Sequence, residues 1–136
     1  MKVFLDTNVL VSAFATRGLS ADVFRYLLAQ HELLVGEVVL DELARVLEKK
    51  LKVPQDAIAG ILTLLRDQTI VPRPDAPSVL EVHDPDDRWV LASALTGGAE
   101  VLVTGDRDLL ECADQAPLPI LTPREFWDRI RGPQTS

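Results

Sequence analysis

Two apolar segments of this sequence run into an aspartate. Asp6 follows the apolar residues 3–5, and Asp106 follows the apolar residues 101–103 after Thr104 and Gly105. In an open α/β sheet the ligand crevice lies beyond the carboxyl ends of the strands, so two central strands would bring both acids to one edge. An unpaired buried carboxylate is costly or becomes neutral, and we therefore expect a cation there. The alternative is that each aspartate only caps the helix that follows it.

Helical phase points to a third acid, Glu42. The sequence predicts a helix over residues 37–51, whose apolar stripe consists of Val39, Leu43, Val46 and Leu47. At about 100° per residue, Asp41 lies nearly opposite that stripe and is expected in solvent. Glu42 lies at the border of the stripe, from which its carboxylate can reach a crevice. The alternative for Glu42 is a local ion pair with Arg45.

The fourth acid is Asp87, in a helix predicted from Asp84 to about residue 96. The apolar stripe of this helix consists of Val90, Leu91 and Ala94. Asp87 projects within the stripe, whereas Asp86 lies nearer its border and Arg88 is expected to point to solvent. The helix macrodipole favours acids in the first turn, which accounts for Asp84 and Asp86 but not for an inward-facing Asp87.

Four carboxylates from distant segments predict a site made of oxygen ligands. Oxygen ligands suit Mg²⁺ or Mn²⁺ rather than zinc, and no cluster of Cys and His competes with them. Acidic sites of this kind bind one or two metal ions that activate water in the hydrolysis of phosphodiesters. The acids therefore fit metal-dependent hydrolysis of a phosphodiester.

Length and composition restrict the class of protein. The chain has 136 residues, 47% of them hydrophobic, a formal net charge of −7 and a single cysteine, Cys112. The negative charge argues against a protein that coats nucleic acid, but not against an enzyme whose acids bind metal. No apolar run reaches the roughly 20 residues that span a bilayer, and Asp6 interrupts what could otherwise resemble a signal peptide. The lone cysteine fits a reducing cytoplasm.

Short apolar segments alternate with helical patterns along the chain. This alternation predicts a three-layer α/β/α sandwich with a central, mainly parallel sheet, formed by one domain over residues 1–131 and followed by a frayed tail at 132–136. Ser20 is the expected N-cap of the second helix, and Thr122 and Glu125 form a capping box at the last one. Strands are predicted at 1–5, 33–35, 69–71, 101–103 and 119–121, and helices at 7–15, 21–30, 37–51, 54–67, 84–96, 107–111 and from 123 onward.

Together these segments resemble a known family. The matching pieces are LDTNVL at 5–10, LDEL at 40–43, DPDDRWVLA at 84–92, VTGDRDLL at 103–110 and LTPREF at 121–126. In their order and spacing they are similar to the PIN-domain ribonucleases, particularly the VapC-like toxins of bacterial and archaeal toxin–antitoxin pairs. The sequence departs from the family pattern in the number of acids between residues 84 and 87.

The resemblance implies a metal-dependent endoribonuclease that uses Mg²⁺ or Mn²⁺. Its catalytic acids would be Asp6, Glu42, Asp87 and Asp106, of which Asp6, Asp87 and Asp106 would bind the metal. Thr7, Asn8 and Thr104 would orient carboxylates and water, Asp108 would be an additional acid, and Asp84 would be the main rival of Asp87.

The resemblance also implies partners. These are an RNA substrate, a small cognate antitoxin and a second copy of the chain in a homodimer, all in the cytoplasm and away from membranes. Basic side chains are candidates to hold the phosphates: Arg17, Arg25, Arg45, Lys49 and Lys52. For the lysines, a charged helix face in solvent is the commoner explanation. The rival interpretations are a structure-specific or DNA nuclease and a non-catalytic interaction module with the same fold.

Overall fold

A computed structural model describes residues 1–131, and within them five parallel strands form one sheet. The strands are β1 (Lys2–Leu5), β2 (Glu32–Gly36), β3 (Thr69–Val71), β4 (Val101–Val103) and β5 (Ile120–Leu121), in the order β3-β2-β1-β4-β5. Phe4 of the central strand pairs with Leu34 on one side and with Leu102 on the other. Strands covered on both faces lack polar alternation, which explains why residues 3–5 are uniformly apolar and buried.

Helices occupy the connections between the strands. They are α1 (Thr7–Ala15), α2 (Leu19–Gln30), α3 (Glu37–Lys49), α4 (Gln55–Arg66), α5 (Pro85–Thr96), α6 (Arg107–Glu111) and α7 (Pro123–Arg131), with a 3₁₀ turn at Ala113–Gln115. The predicted α/β/α sandwich is therefore confirmed, and its sheet is parallel at every pairing of these strands. No helix within residues 1–131 is both long enough and apolar enough to cross a membrane.

The strand order reverses at β1. From β1 the chain adds β2 and then β3 on one side, and it later returns to add β4 and β5 on the other. Crevices in sheets of this kind form at such a switch point, beyond the carboxyl ends of the two central strands. Asp6 immediately follows β1, and its backbone N–H donates to the carbonyl of Val103 at 3.0 Å. The topology therefore places the ends of β1 and β4 side by side.

Three local predictions were wrong. Ser20 does not cap α2, because the carbonyl of Gly18 already accepts a bond from the N–H of Asp22 at 3.0 Å and the helix has begun by then. Arg88 does not extend into solvent: its Nε and Nη2 both donate to the carbonyl of Ser78, at 3.1 and 2.9 Å, because the loop before α5 folds back over the helix. Val46 is only half-buried, and Leu40 takes its place among the buried residues of α3.

The capping box at the last helix is confirmed. The N–H of Thr122 donates to Glu125 Oε1 at 2.9 Å, and the N–H of Glu125 donates to Thr122 Oγ1 at 3.0 Å. The tail predicted at residues 132–136 lies outside the described residues, and the single domain over 1–131 stays a prediction.

Candidate acidic site

A cavity of about 410 Å³ opens at the carboxyl edge of the sheet. All four predicted catalytic acids line it, together with the rival acid: Asp6, Glu42, Asp84, Asp87 and Asp106. The acids come from the ends of β1 and β4, from α3 and from the start of α5. The fold therefore brings together carboxylates that are up to a hundred residues apart in the chain.

Asp6 forms the floor of the cavity. Its Oδ1 accepts the N–H of Thr7 at 2.7 Å, and its Oδ2 accepts the hydroxyl of Thr104 at 2.7 Å. Burial raises the pKa of Asp6 to about 6, against these two hydrogen bonds, which lower it; the negative charges of Glu42 and Asp106 raise it further. Asp6 is thus a buried carboxyl group that neighbouring acids make harder to ionise.

Glu42 is oriented by Thr7, whose hydroxyl donates to Glu42 Oε1. Within the described residues Glu42 has no ion pair with Arg45, the alternative partner suggested by sequence spacing. Asp41 is exposed, as its phase predicts. Thr7 therefore ties α1 to α3 through one hydrogen bond at the edge of the cavity.

Thr104 connects Asp6 and Asp106. Its Oγ1 donates to Asp6 Oδ2 and accepts the N–H of Asp106 at 2.9 Å. The N–H of Gly105 donates to Asn8 Oδ1 at a longer 3.4 Å. The three polar residues expected to orient the acids, Thr7, Asn8 and Thr104, thus contact the two strand ends or the acids themselves.

Asp87 carries the most unfavourable electrostatic environment at the site. It is 6% exposed, and its Oδ2 has no hydrogen-bond partner within the described residues. Burial raises the pKa of Asp87 to about 8, and the charges of Asp106, Asp6 and Asp84 add to the effect. A buried carboxylate oxygen that has no partner within residues 1–131 and lies among other carboxylates fits the binding of a cation.

A second grouping of acids shares Asp87. One carboxylate oxygen each from Asp84, Asp87 and Asp108 lies within 4.8 Å of the other two. The rival acid Asp84 and the additional acid Asp108 are therefore neighbours of Asp87, close enough for all three to share one cation. All these donors are carboxylate oxygens, which suit Mg²⁺ or Mn²⁺.

Helix capping, the alternative explanation for Asp6 and Asp106, is confirmed, and it extends to Asp84. Asp6, Asp84 and Asp106 are the N-caps of α1, α5 and α6, and each side chain accepts a backbone N–H of its own helix. Capping and metal binding do not exclude each other, because a carboxylate has about four lone-pair positions and a cap uses one.

The basic residue that lines the cavity is not one of those that the sequence suggested. Lys50 lines the acidic cavity beside Leu51, although Lys49 is closer to Glu42 in helical phase. Lys49 is instead paired with Glu48 at 3.4 Å, and Arg25 is paired with Asp22. Arg17 and Lys52 are exposed, and Arg45 lines a neighbouring cleft. The position of Lys50 depends on how the end of α3 turns toward α1, which helical phase does not specify.

The fold is shared with three solved structures. VapBC-1 from nontypeable Haemophilus influenzae matches with a TM-score of 0.63 and 18% identity over 91% of this chain and 99% of that one. VapBC2 from Rickettsia felis, bound to a DNA fragment from its promoter, matches with a TM-score of 0.61 and 17% identity over 89% and 97%. FitAcB from Neisseria gonorrhoeae matches with a TM-score of 0.57 and 15% identity over 90% and 98%.

Comparison with curated protein sequences finds no match. A family model described as PIN domain matches residues 2–108, which include every acid that lines the cavity. The match covers well over half of the chain, and the chain therefore belongs to the PIN-domain family.

Proposed function

We propose that this protein is a metal-dependent endoribonuclease and the toxin of a toxin–antitoxin pair. The observation that carries the proposal is the buried Oδ2 of Asp87, which has no hydrogen-bond partner in the described part of the chain and lies in a cavity with the carboxyl groups of Asp6, Asp84 and Asp106. A structural role alone would leave this oxygen unsatisfied at a large cost. A divalent cation bound by these groups would remove that cost.

The proposed roles follow from the contacts. Asp6, Asp87 and Asp106 would hold Mg²⁺ or Mn²⁺, which when bound would neutralise charge and make water more acidic. Glu42, held by the hydroxyl of Thr7, binds the same ion or orients the attacking water. The water oxygen forms a bond to phosphorus as the bond from phosphorus to the 3′ oxygen breaks. The water gives up one proton as it attacks and a proton passes to that 3′ oxygen, which leaves 5′-phosphate and 3′-hydroxyl ends.

The choice of RNA, and of a toxin, rests on the resemblance to VapC-like proteins. Membership of the PIN-domain family and a fold shared with VapBC-1 and VapBC2 support it. An antitoxin protein, a second copy of the chain in a homodimer and a cytoplasmic location belong to the same proposal. Carboxylates and a metal ion do not themselves distinguish RNA from DNA, so the substrate must be tested directly.

The decisive variant is Asp6→Asn, which keeps the shape of the side chain and removes its charge. We expect RNA cleavage in Mg²⁺ or Mn²⁺ to fall by more than the roughly 10–100-fold that loss of a supporting residue costs. EDTA should abolish cleavage by the unaltered protein. Asp114→Asn, at an exposed acid away from the cavity, is the matched control and should keep full activity.

The assay uses labelled single-stranded RNA and DNA of the same sequence, with circular dichroism to verify the fold of each variant. Cleavage of DNA alone would make the protein a DNA nuclease. Equal cleavage by Asp6→Asn and the unaltered protein would remove Asp6 from the site. Growth arrest on expression of the gene, relieved by its genomic neighbour, would test the role as a toxin.

A further inference from the structure

A second cleft of about 230 Å³ adjoins the acidic cavity. It lies between α3 and α5 and is bounded by Arg73, two residues beyond the end of β3. Glu42 lines both the cleft and the acidic cavity, so the two are neighbours across one carboxylate. The cleft is smaller than the roughly 300–1,000 Å³ of pockets for drug-sized ligands, and suits one planar group.

The cleft combines an aromatic ring with two arginines. Trp89 is half-buried on α5, and the guanidinium of Arg73 lies over its ring, 5.4 Å from the centroid. Arg45, one turn after Glu42 on α3, is exposed and has no ion pair within the described residues. An indole face flanked by guanidinium groups is the combination with which proteins bind single-stranded nucleic acid, by stacking on bases and neutralising phosphates.

We propose that this cleft, formed by Arg45, Arg73 and Trp89, binds one nucleotide of a single-stranded RNA beside the bond that is cleaved. Its base stacks on the layer formed by the ring of Trp89 and the guanidinium of Arg73 that lies over it, and Arg45 contacts the adjoining phosphate. The proposal rests on the proposed function, because it takes the acidic cavity as the place of cleavage. It also specifies the path of the RNA, which would leave the acidic cavity between α3 and α5.

Besides Glu42, which it shares with the acidic cavity, the cleft contains two acids that limit its affinity for RNA. Asp41 Oδ2 lies 4.0 Å from Arg73 Nη2, and Asp86 lines the same cleft. Both acids are exposed, so water and salt screen them, and the pair of Asp41 with Arg73 contributes little to stability. They do oppose an incoming phosphate. Removing the charge of Asp41 should therefore strengthen RNA binding, whereas a purely structural ion pair would give no such gain.

The two tryptophans allow a direct test by fluorescence. In an Asp6→Asn background, which prevents cleavage, Trp127→Phe leaves Trp89 as the reporter and Trp89→Phe leaves Trp127. Trp127 lies on α7 against Tyr26, with ring centroids 6.0 Å apart, and serves as the matched control. Homopolymeric RNAs of eight nucleotides should quench the emission of Trp89 in a saturable way and leave that of Trp127 unchanged.

Kinetics on proteins with Asp6 intact provide the second measurement. Trp89→Ala should raise KM for single-stranded RNA by about 5- to 100-fold with little change in kcat, as expected for the loss of one base stack. The KM of Trp89→Phe should lie between those of the unaltered protein and Trp89→Ala. Arg45→Gln should raise KM and reduce its dependence on salt. Asp41→Asn should lower KM. Arg124→Gln, at an exposed arginine on α7, should leave KM unchanged.

The outcomes separate this inference from the proposed function. If Trp89→Ala cleaves RNA normally with an unchanged KM, and RNA does not quench Trp89, the cleft does not bind RNA. The proposed nuclease activity would still stand. A Trp89 signal that responds to a co-expressed partner protein but not to RNA would make the cleft a protein-docking surface and overturn the inference. Absence of both RNA binding and RNA cleavage would overturn both proposals.

Discussion

At the scale of single residues, Asp87 and Asp6 are carboxyl groups that burial makes harder to ionise. Asp87 is buried near four other carboxyl groups, and one of its oxygens has no partner within residues 1–131. Asp6 is held by two hydrogen bonds, yet burial still makes it a weaker acid than usual. Proteins place groups with shifted pKa values of this kind mostly at functional sites.

The pKa of Asp87 predicts how stability depends on pH. The group has an ordinary pKa of 3.8 when unfolded and about 8 when folded without metal, so between these values the folded state binds more protons. The free energy of unfolding of the metal-free protein should therefore fall as pH rises from about 4 to about 8. Asp87→Asn removes the free-energy cost of ionising this buried group. It should therefore stabilise the metal-free protein at pH 8 by on the order of 1 kcal/mol, the equivalent of one pKa unit.

Urea unfolding in EDTA at several pH values would measure this effect. The advantage of Asp87→Asn should shrink toward pH 4, where both proteins are neutral at this position. Asp114→Asn, at an exposed acid, should follow the unaltered protein at each pH. An Asp87→Asn protein that is less stable at pH 8 would contradict the argument.

At the scale of elements, the carboxylates are carried by the ends of strands and the starts of helices. The position of Glu42 depends on α3, which begins directly after Gly36 at the end of β2. A Cβ atom at Gly36 would lie 2.9 Å from Phe4 Cζ and closer still to Ser93 Oγ. The backbone of Gly36, at φ −79, would accept any residue, so the requirement for glycine here is one of space alone.

Gly36→Ala should therefore destabilise the protein by about 1–3 kcal/mol, the usual cost of overpacking a core. Gly60→Ala is the matched control, because a Cβ at Gly60 in α4 meets nothing within 4 Å. It should stabilise the protein by roughly 0.5–1 kcal/mol through helix propensity. Adding Ser93→Ala to Gly36→Ala should recover part of the loss, since it removes the nearer of the two obstructing atoms. Urea midpoints compare all four proteins, and equal stability of Gly36→Ala and Gly60→Ala would refute the steric argument.

At the scale of the whole molecule, acids outnumber bases and part of the excess is concentrated in one cavity. The net charge is −7, and among residues 1–131 five acids and a single cation, Lys50, line that cavity. A divalent cation should therefore bind the folded chain in preference to the unfolded one. At a concentration 100 times its dissociation constant, it should raise the free energy of unfolding by about 2.7 kcal/mol.

Thermal melting in Mn²⁺, compared with EDTA and with NaCl of equal ionic strength, would detect this stabilisation. Asp87→Asn should abolish most of the Mn²⁺ effect but leave the small effect of salt in place. Equal melting temperatures in Mn²⁺ and in the NaCl control would mean that the acidic cavity does not bind the cation.

The sequence by itself determined the α/β fold and its principal acids. Buried parallel strands appear in a sequence as short apolar segments. Asp6 and Asp106 each follow such a segment, so both could be assigned to strand ends at one edge of the sheet. Helical phase distinguished the inward Asp87 from Asp86, and Glu42 from Asp41, because those choices depend on periodicity within one helix. The capping box of Thr122 and Glu125 was equally local.

Only the tertiary structure decided what depends on contacts between distant segments. It placed Lys50 in the acidic cavity, brought Asp108 to Asp84 and Asp87, and set Arg73 over Trp89. The wrong prediction for Arg88 has the same origin, since its partner is a carbonyl in the loop before α5. Periodicity within an element gives the direction of a side chain relative to its own axis. It carries no information on which loop or helix packs opposite, because that depends on the packing of the whole domain.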